Sequence, residues 1–173
     1  MAILTLADTQ QQIKETNEIK AFLNERNIFF DVWDTIAVHD NDSMDEILAK
    51  YEKFLSPYMQ KNGYKVADVI NINEKTENYE ALREKFLAEH THTEDEVRYF
   101  IDGEGLFWFH LESGEIFNVR CQAGDLISVP AGAKHWFDAG EKPYVKVIRI
   151  FIDKSGWVPH YTHSEVEKKY IQP

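Results

Sequence analysis

The run that begins at residue 90 reads His-Thr-His-Thr-Glu-Asp-Glu. On a β-strand, side chains two apart share a face, about 6.5–7 Å apart along it. His90 and His92 can therefore turn both imidazoles toward one point. Glu96 follows the short break Thr93-Glu94-Asp95, at the start of the next strand, and its carboxylate can swing in beside the two rings. His135 enters from a distant strand behind Pro130-Ala131-Gly132-Ala133-Lys134, where proline and glycine make a tight turn that fixes its point of entry.

Three imidazoles and one carboxylate are borderline-to-hard nitrogen and oxygen ligands. They suit Fe(II), Ni(II), Mn(II), Co(II) or Zn(II). On an octahedral ion they leave two adjacent positions open, through which a small molecule can chelate by two oxygens. That geometry serves chemistry better than structural support. A His-x-His pair on a strand is also the pattern of an exposed polar face. The added glutamate and the later Pro-x-Gly-x-x-His favour the metal.

These groups need a scaffold that brings residue 135 to residue 90. Turn signals at Asp102-Gly103-Glu104-Gly105, Glu112-Ser113-Gly114, Ala123-Gly124-Asp125, Pro130-Ala131-Gly132 and Ala139–Pro143 separate the short apolar runs 106–109, 116–119 and 126–129. A last long run spans 144–152. Short strands at such even spacing predict an antiparallel sandwich or barrel. The first 89 residues mix strands and helices. Edge strand 3–6, a short helix over 8–24, strand 28–33, a helix capped by Ser43 and ended by Gly63, strand 67–72 and helix 79–88 are expected. The segment 164–170 reads as a helical or frayed surface tail. The expected organisation is one mainly β domain over 1–173, with a mixed helix and strand segment at 1–89, barrel strands at 90–157 and a tail at 158–173. Its helices pack outside the barrel and come mostly from the N-terminal half.

Composition narrows the function. The chain has 173 residues and a formal net charge of −11. Such a charge repels nucleic-acid phosphates and anionic lipid, so neither is an expected partner. An anionic substrate must then be captured by local positive charge, meaning a metal or a particular arginine. One cysteine, Cys121, allows no internal disulfide and suits a reducing compartment. The N-terminus lacks a secretory pattern and no apolar run is long enough to span a membrane, so a soluble cytoplasmic protein is expected; a monomer is the expected state, though these signals do not bear on it.

The spacing resembles the two cupin motifs. His90-Thr-His92, Glu96 and Gly103 match the first, and Gly124, Pro130, Gly132 and His135 match the second. Glu84 and Ala139 depart from it, where the pattern carries Gly and Asn, and both lie outside the ligand set. The resemblance implies a double-stranded β-helix, or jelly-roll, barrel. More narrowly, Glu89 through Phe100, Lys134-His-Trp-Phe137 and Gly156-Trp157 resemble the acireductone dioxygenases, most strongly from Phe86 to Trp157.

That resemblance implies a metal-dependent dioxygenase of methionine salvage, with one Fe(II) or Ni(II) per chain. Its substrates would be 1,2-dihydroxy-3-oxo-5-(methylthio)pent-1-ene and O2. The Fe(II) form would give formate and 4-methylthio-2-oxobutanoate. The Ni(II) form would give 3-methylthiopropanoate, formate and carbon monoxide. It also implies that Arg98 neutralises the bound dianion, that Phe86, Phe137 and Trp157 line the pocket for the methylthio tail, and that Glu89 takes part in metal loading. Each has a plainer alternative: an Arg98 paired at the barrel end, aromatics in ordinary core packing, and an exposed Glu89 without a role.

Other candidates read as bland. His39, His110, His160 and His163 lack a converging carboxylate. Cys121 has the pattern of a small buried side chain. Gly103-Glu-Gly105 reads as a hairpin turn, since no helix follows to make it a phosphate loop. The rival functions are another metal-dependent cupin enzyme, such as an isomerase or a diol dioxygenase, and a non-catalytic metal-binding cupin. Oxygen consumption separates a dioxygenase from an isomerase or a binding protein.

Overall fold

One strand of 15 residues, Glu96–His110, organises the fold. The computed structural model describes residues 1–170. In chain order its elements are β1 (Ile3–Leu6), β2 (Gln12–Ile13), α1 (Thr16–Asn24), β3 (Phe29–Val32), α2 (Met44–Lys50), α3 (Glu52–Asn62), β4 (Val66–Asn73) and α4 (Tyr79–Leu87). These are followed by β5 (His90–Thr91), β6 (Glu96–His110), β7 (Ile116–Gln122), β8 (Asp125–Val129), β9 (Lys134–Asp138), β10 (Tyr144–Phe151) and β11 (His160–Tyr161). Short 3-10 turns lie at Lys154–Trp157 and Val166–Lys169.

All strand pairs are antiparallel. The first half of β6 pairs with β8 and β10, which extend to β3 and β4. Its second half pairs with β7 and β9, which extend to β1 and β2 on one side and to β5 and β11 on the other. A strand that passes from one sheet to the other makes the corner of a closed sandwich. The architecture is the expected cupin barrel, mostly β with a few helices outside.

Alternation along β6 sorts its side chains. Phe100, Phe107 and Phe109 enter the interior with Phe117, Val119, Ile127, Val129, Phe137, Val145 and Val147. Val97, Tyr99 and Ile101 face outward and are covered by Ile47, Tyr51 and Leu55 of the helical segment. Burial on both faces explains why Glu96–Ile101 is buried without a break. Trp108 and Trp136 lie on the outer face of the other sheet, their rings stacked 5.5 Å apart.

Several local expectations are corrected. Asp102-Gly103-Glu104-Gly105 is no hairpin turn, because β6 runs straight through it with an irregularity in its pairing to β10. Gly103 has φ +72°, and a Cβ there would lie 1.8 Å from the Tyr144 carbonyl oxygen, so the glycine serves close approach of two strands. A Cβ on Gly105 would strike the Phe137 ring. β1 is an interior strand, paired with both β7 and β2. In the stretch 8–24, β2 precedes a helix confined to Thr16–Asn24. Ser43 does cap its helix, accepting from the Glu46 N–H.

The single helix expected up to Gly63 is two. They meet at Tyr51, a fully buried residue whose hydroxyl accepts from Ile36 N and donates to Ile36 O. The tail does carry a short 3-10 turn, but it is not a free surface segment. The Tyr170 ring lies 4.8 Å from Trp108 and closes the outer face of that sheet. Among the described residues, no helix is long and apolar enough to cross a membrane.

Candidate metal centre

His90, His92, Glu96 and His135 converge at the end of the barrel where β5, β6 and β9 meet. The register puts His90 opposite His135. One ligand atom from each of the four lies within 4.8 Å of the others, and all four residues are buried. The ring centroids are 4.5 Å apart for His90 and His135, 4.8 Å for His90 and His92, and 5.1 Å for His92 and His135.

Each imidazole is braced from behind. Nδ1 of His90 donates to the Ala88 carbonyl at 2.7 Å, and Nδ1 of His135 donates to the Ala133 carbonyl at 2.8 Å. Nδ1 of His92 reaches the Val158 carbonyl at 3.3 Å. A carbonyl oxygen only accepts, so the hydrogen sits on Nδ1 and the Nε2 lone pair faces inward, the tautomer a metal requires. Yet Nε2 of His135 lies 2.7 Å from Glu96 Oε2, and Nε2 of His92 lies 3.3 Å from it. Lone pairs aimed at one another in a buried space need a positive charge between them, and three rings converging with one carboxylate give a metal ion the ligands to supply it. The donor set therefore fits a metal ion.

Electrostatics agree with that reading. Burial by itself raises the pKa of Glu96, but the Arg98 charge beside it outweighs this and holds the carboxyl well below the usual range. Burial and the neighbouring His135 push His90 down to about 4, which keeps its ring neutral and able to ligate.

Arg98 is 4% exposed and pairs with a buried glutamate, not with a surface carboxylate. Its Nε donates to Glu96 Oε1 at 2.8 Å. Its guanidinium carbon lies 5.3 Å from the Phe137 ring centre, 5.5 Å from Trp157 and 5.7 Å from Phe86. These residues and the four converging groups line one cavity of about 160 Å³. The three aromatics therefore combine packing with lining. Trp157 is fixed by an Nε1–H donated to the Asp95 carbonyl at 3.2 Å.

Glu89 stands outside the group and is buried, not exposed. Its Oε1 accepts from the Thr162 and Ser164 hydroxyls, and its Oε2 meets His110 Nδ1 at 2.6 Å. Burial raises its pKa, and these three partners together bring it below the ordinary value. His110 thus has the converging carboxylate that the sequence did not reveal. His160 and His163 are exposed and join no metal group among the described residues. Cys121 is fully buried, and burial pushes its thiol well up.

Sequence reasoning missed Ile70, Leu82, Lys85, Arg149 and Pro159, which also line the cavity. One signal was readable. Arg149 follows Val145 and Val147 at two-residue spacing on the inner face of β10, and it pairs there with Asp68 of β4. The remaining four carry no local signal.

A model of the ARD/ARD' family matches residues 5–159. The acireductone dioxygenase of Picosynechococcus sp. is 54% identical over 171 residues, which cover 98% of this chain and 97% of that protein. The acireductone dioxygenase of Granulibacter bethesdensis is 45% identical over 150 residues, covering 86% and 83%. Among solved structures, the acireductone dioxygenase from Bacillus anthracis with a cadmium ion in its active centre superposes with a TM-score of 0.85. It is 33% identical, and the match covers 93% of this chain and 98% of that one.

Proposed function

This chain belongs to the ARD/ARD' family, and on that premise we propose that it cleaves 1,2-dihydroxy-3-oxo-5-(methylthio)pent-1-ene with O2, using one Fe(II) or Ni(II) held by His90, His92, Glu96 and His135. It is an enzyme of the dioxygenase class, like its relatives. The observation that carries the proposal is the single cavity in which inward-facing imidazoles, Glu96, Arg98 and three aromatics meet. The cadmium in the active centre of the Bacillus anthracis enzyme supports a divalent ion.

A divalent ion held there supplies Lewis acidity that stabilises the deprotonated enediol. Arg98 supplies a fixed positive charge beside the enediolate. Its bond to Glu96 aims the guanidinium, and its planar fork can engage two oxygens at once. Phe86, Phe137 and Trp157 form the apolar wall for the methylthio tail and exclude water from the charged end. Glu89 acts from behind His90. It ties the segment that carries His90 to Thr162 and Ser164 of the C-terminal segment, which suits a role in metal loading.

Three histidines and one glutamate accept both ions, so metal identity is the proposed selector of products. The test is reconstitution of the metal-free protein with each ion, followed by oxygen uptake, organic-acid analysis and headspace carbon monoxide. The Fe(II) form is expected to give formate and 4-methylthio-2-oxobutanoate, and the Ni(II) form 3-methylthiopropanoate, formate and carbon monoxide. Identical products without carbon monoxide would refute selection by the metal. Absence of oxygen uptake in both forms would leave a non-catalytic cupin as the better account.

A further inference from the structure

We infer that Asp95 is a positioning residue, which locks the two ligand-bearing turns together so that His92 and Glu96 meet His135. The inference rests on the metal reading above and concerns a side chain outside the converging group.

Asp95 lies in the break between His92 and Glu96, immediately before the glutamate. It receives hydrogen bonds from three segments far apart in sequence. Its Oδ1 accepts from Ala131 N at 3.0 Å, its Oδ2 accepts from Tyr64 O–H at 2.9 Å, and its carbonyl accepts from Trp157 Nε1 at 3.2 Å. Ala131 belongs to the turn that delivers His135. A second bond crosses the same seam, from Gly132 N to the His92 carbonyl at 2.9 Å. Ala133, two residues after Ala131, supplies the carbonyl that braces His135 Nδ1.

The chain of contact is therefore short. Asp95 fixes Ala131, the turn carries that constraint to Ala133, and Ala133 aims the His135 ring. Tyr64 anchors the other carboxylate oxygen to the end of α3, where its own N–H bonds to Met59 O. His92 and Glu96 are separated by only three residues and share a strand with neither His90 nor His135 at fixed register. β6 begins at Glu96, and β5 ends at Thr91. The strand ladder does not span this break, which is held by the Asp95 side chain and the backbone bond from Gly132 N to the His92 carbonyl.

An asparagine keeps an acceptor for Ala131 and a polar partner for the Tyr64 hydroxyl, whereas alanine keeps neither. The test uses the full-length protein loaded with Ni(II), and follows transfer of the ion to excess chelator. Asp95→Ala is expected to release Ni(II) about tenfold faster, within the range that outer partners of metal ligands command. Asp95→Asn is expected to stay within about twofold of the parent, and Tyr64→Phe, which loses one bond, to release about threefold faster. Circular dichroism of the metal-free variants should stay that of the parent.

Parental release from Asp95→Ala would overturn the inference while leaving the metal reading intact. Release from Asp95→Asn as fast as from Asp95→Ala would overturn it too. Should Asp95→Ala fail to fold, parental release from Tyr64→Phe is the overturning result. A parent protein that takes up no Ni(II) would overturn the metal reading, and the inference with it.

Discussion

Glu96 and Asp125 lie in two different regions of the barrel and are buried alike, 3% and 2% exposed, yet their carboxyl groups behave in opposite ways. Asp125, at the turn from β7 into β8, is pushed up to about 6 by burial, which the Gln122 N–H 2.8 Å away and the N-terminal charge only partly offset. Glu96, where β5, β6 and β9 meet, suffers the same burial. It is nonetheless held well below the usual carboxylate range, first of all by the Arg98 charge. Glu89 is a third case, lowered by two hydroxyls and a histidine. Depth therefore does not make a charged site. Partners do, and a carboxylate that stays ionised when buried is what a cation requires.

The largest effect should come from breaking the Glu96 region at a ligand. His92→Ala is expected to lower metal affinity by more than about a hundredfold, beyond what outer partners cost, with the fold kept. Elemental analysis beside circular dichroism would check it, and full metal occupancy would sink the assignment. Next comes Arg98→Lys, which keeps the charge but loses the planar fork. It should retain the metal and reduce kcat about a hundredfold, judged by steady-state oxygen uptake. Wild-type turnover would remove Arg98 from the reaction.

Glu89→Gln sharpens the contrast between a buried ligand and a buried anchor. It should cost about 2 kcal/mol of stability in urea titration, since charged hydrogen bonds to Thr162, Ser164 and His110 are weakened. Metal affinity should fall by no more than about tenfold. A hundredfold fall would make Glu89 as important to the ion as a ligand.

The last effect, at Asp125, shows only as a dependence on pH. Its folded pKa of about 6 exceeds the ordinary 3.8, so the folded state holds the extra proton between those values. Stability from this group is complete below pH 3.8 and is lost as pH rises through 6. Asp125→Asn should therefore gain on the parent by about 2 kcal/mol between about pH 4 and pH 7. Unfolding midpoints measured at both pH values give the result, and a difference that does not change with pH would contradict it.

Most of the site was legible because it is written in short-range spacing. His90 and His92 share a face by strand alternation, and Glu96 and His135 follow at distances a turn can close. Arg98 shares the inner face of β6 with Glu96 by the same rule. Ser43 was readable as a cap, because a cap is a contact across three residues. The glycines misled where the same residue serves two purposes. Gly103 and Gly105 look like a turn, but they are small because the Tyr144 backbone and the Phe137 ring press on a continuous strand.

By itself, then, the sequence determined the ligand types, their inward face, the cupin pattern and the family. Only the tertiary structure decided which distant groups complete them. It put His110, Thr162 and Ser164 around Glu89, Tyr64 and Ala131 on Asp95, Asp68 beside Arg149, and Tyr170 over Trp108. It also broke the helix at Tyr51, whose ring and hydroxyl are claimed by Tyr99 and Ile36. The physical reason is common to all of these. Alternation and turn chemistry act over a few residues and can be read along the chain. Hydrogen bonds across dozens of residues depend on which strands pair and on how β6 passes from one sheet to the other.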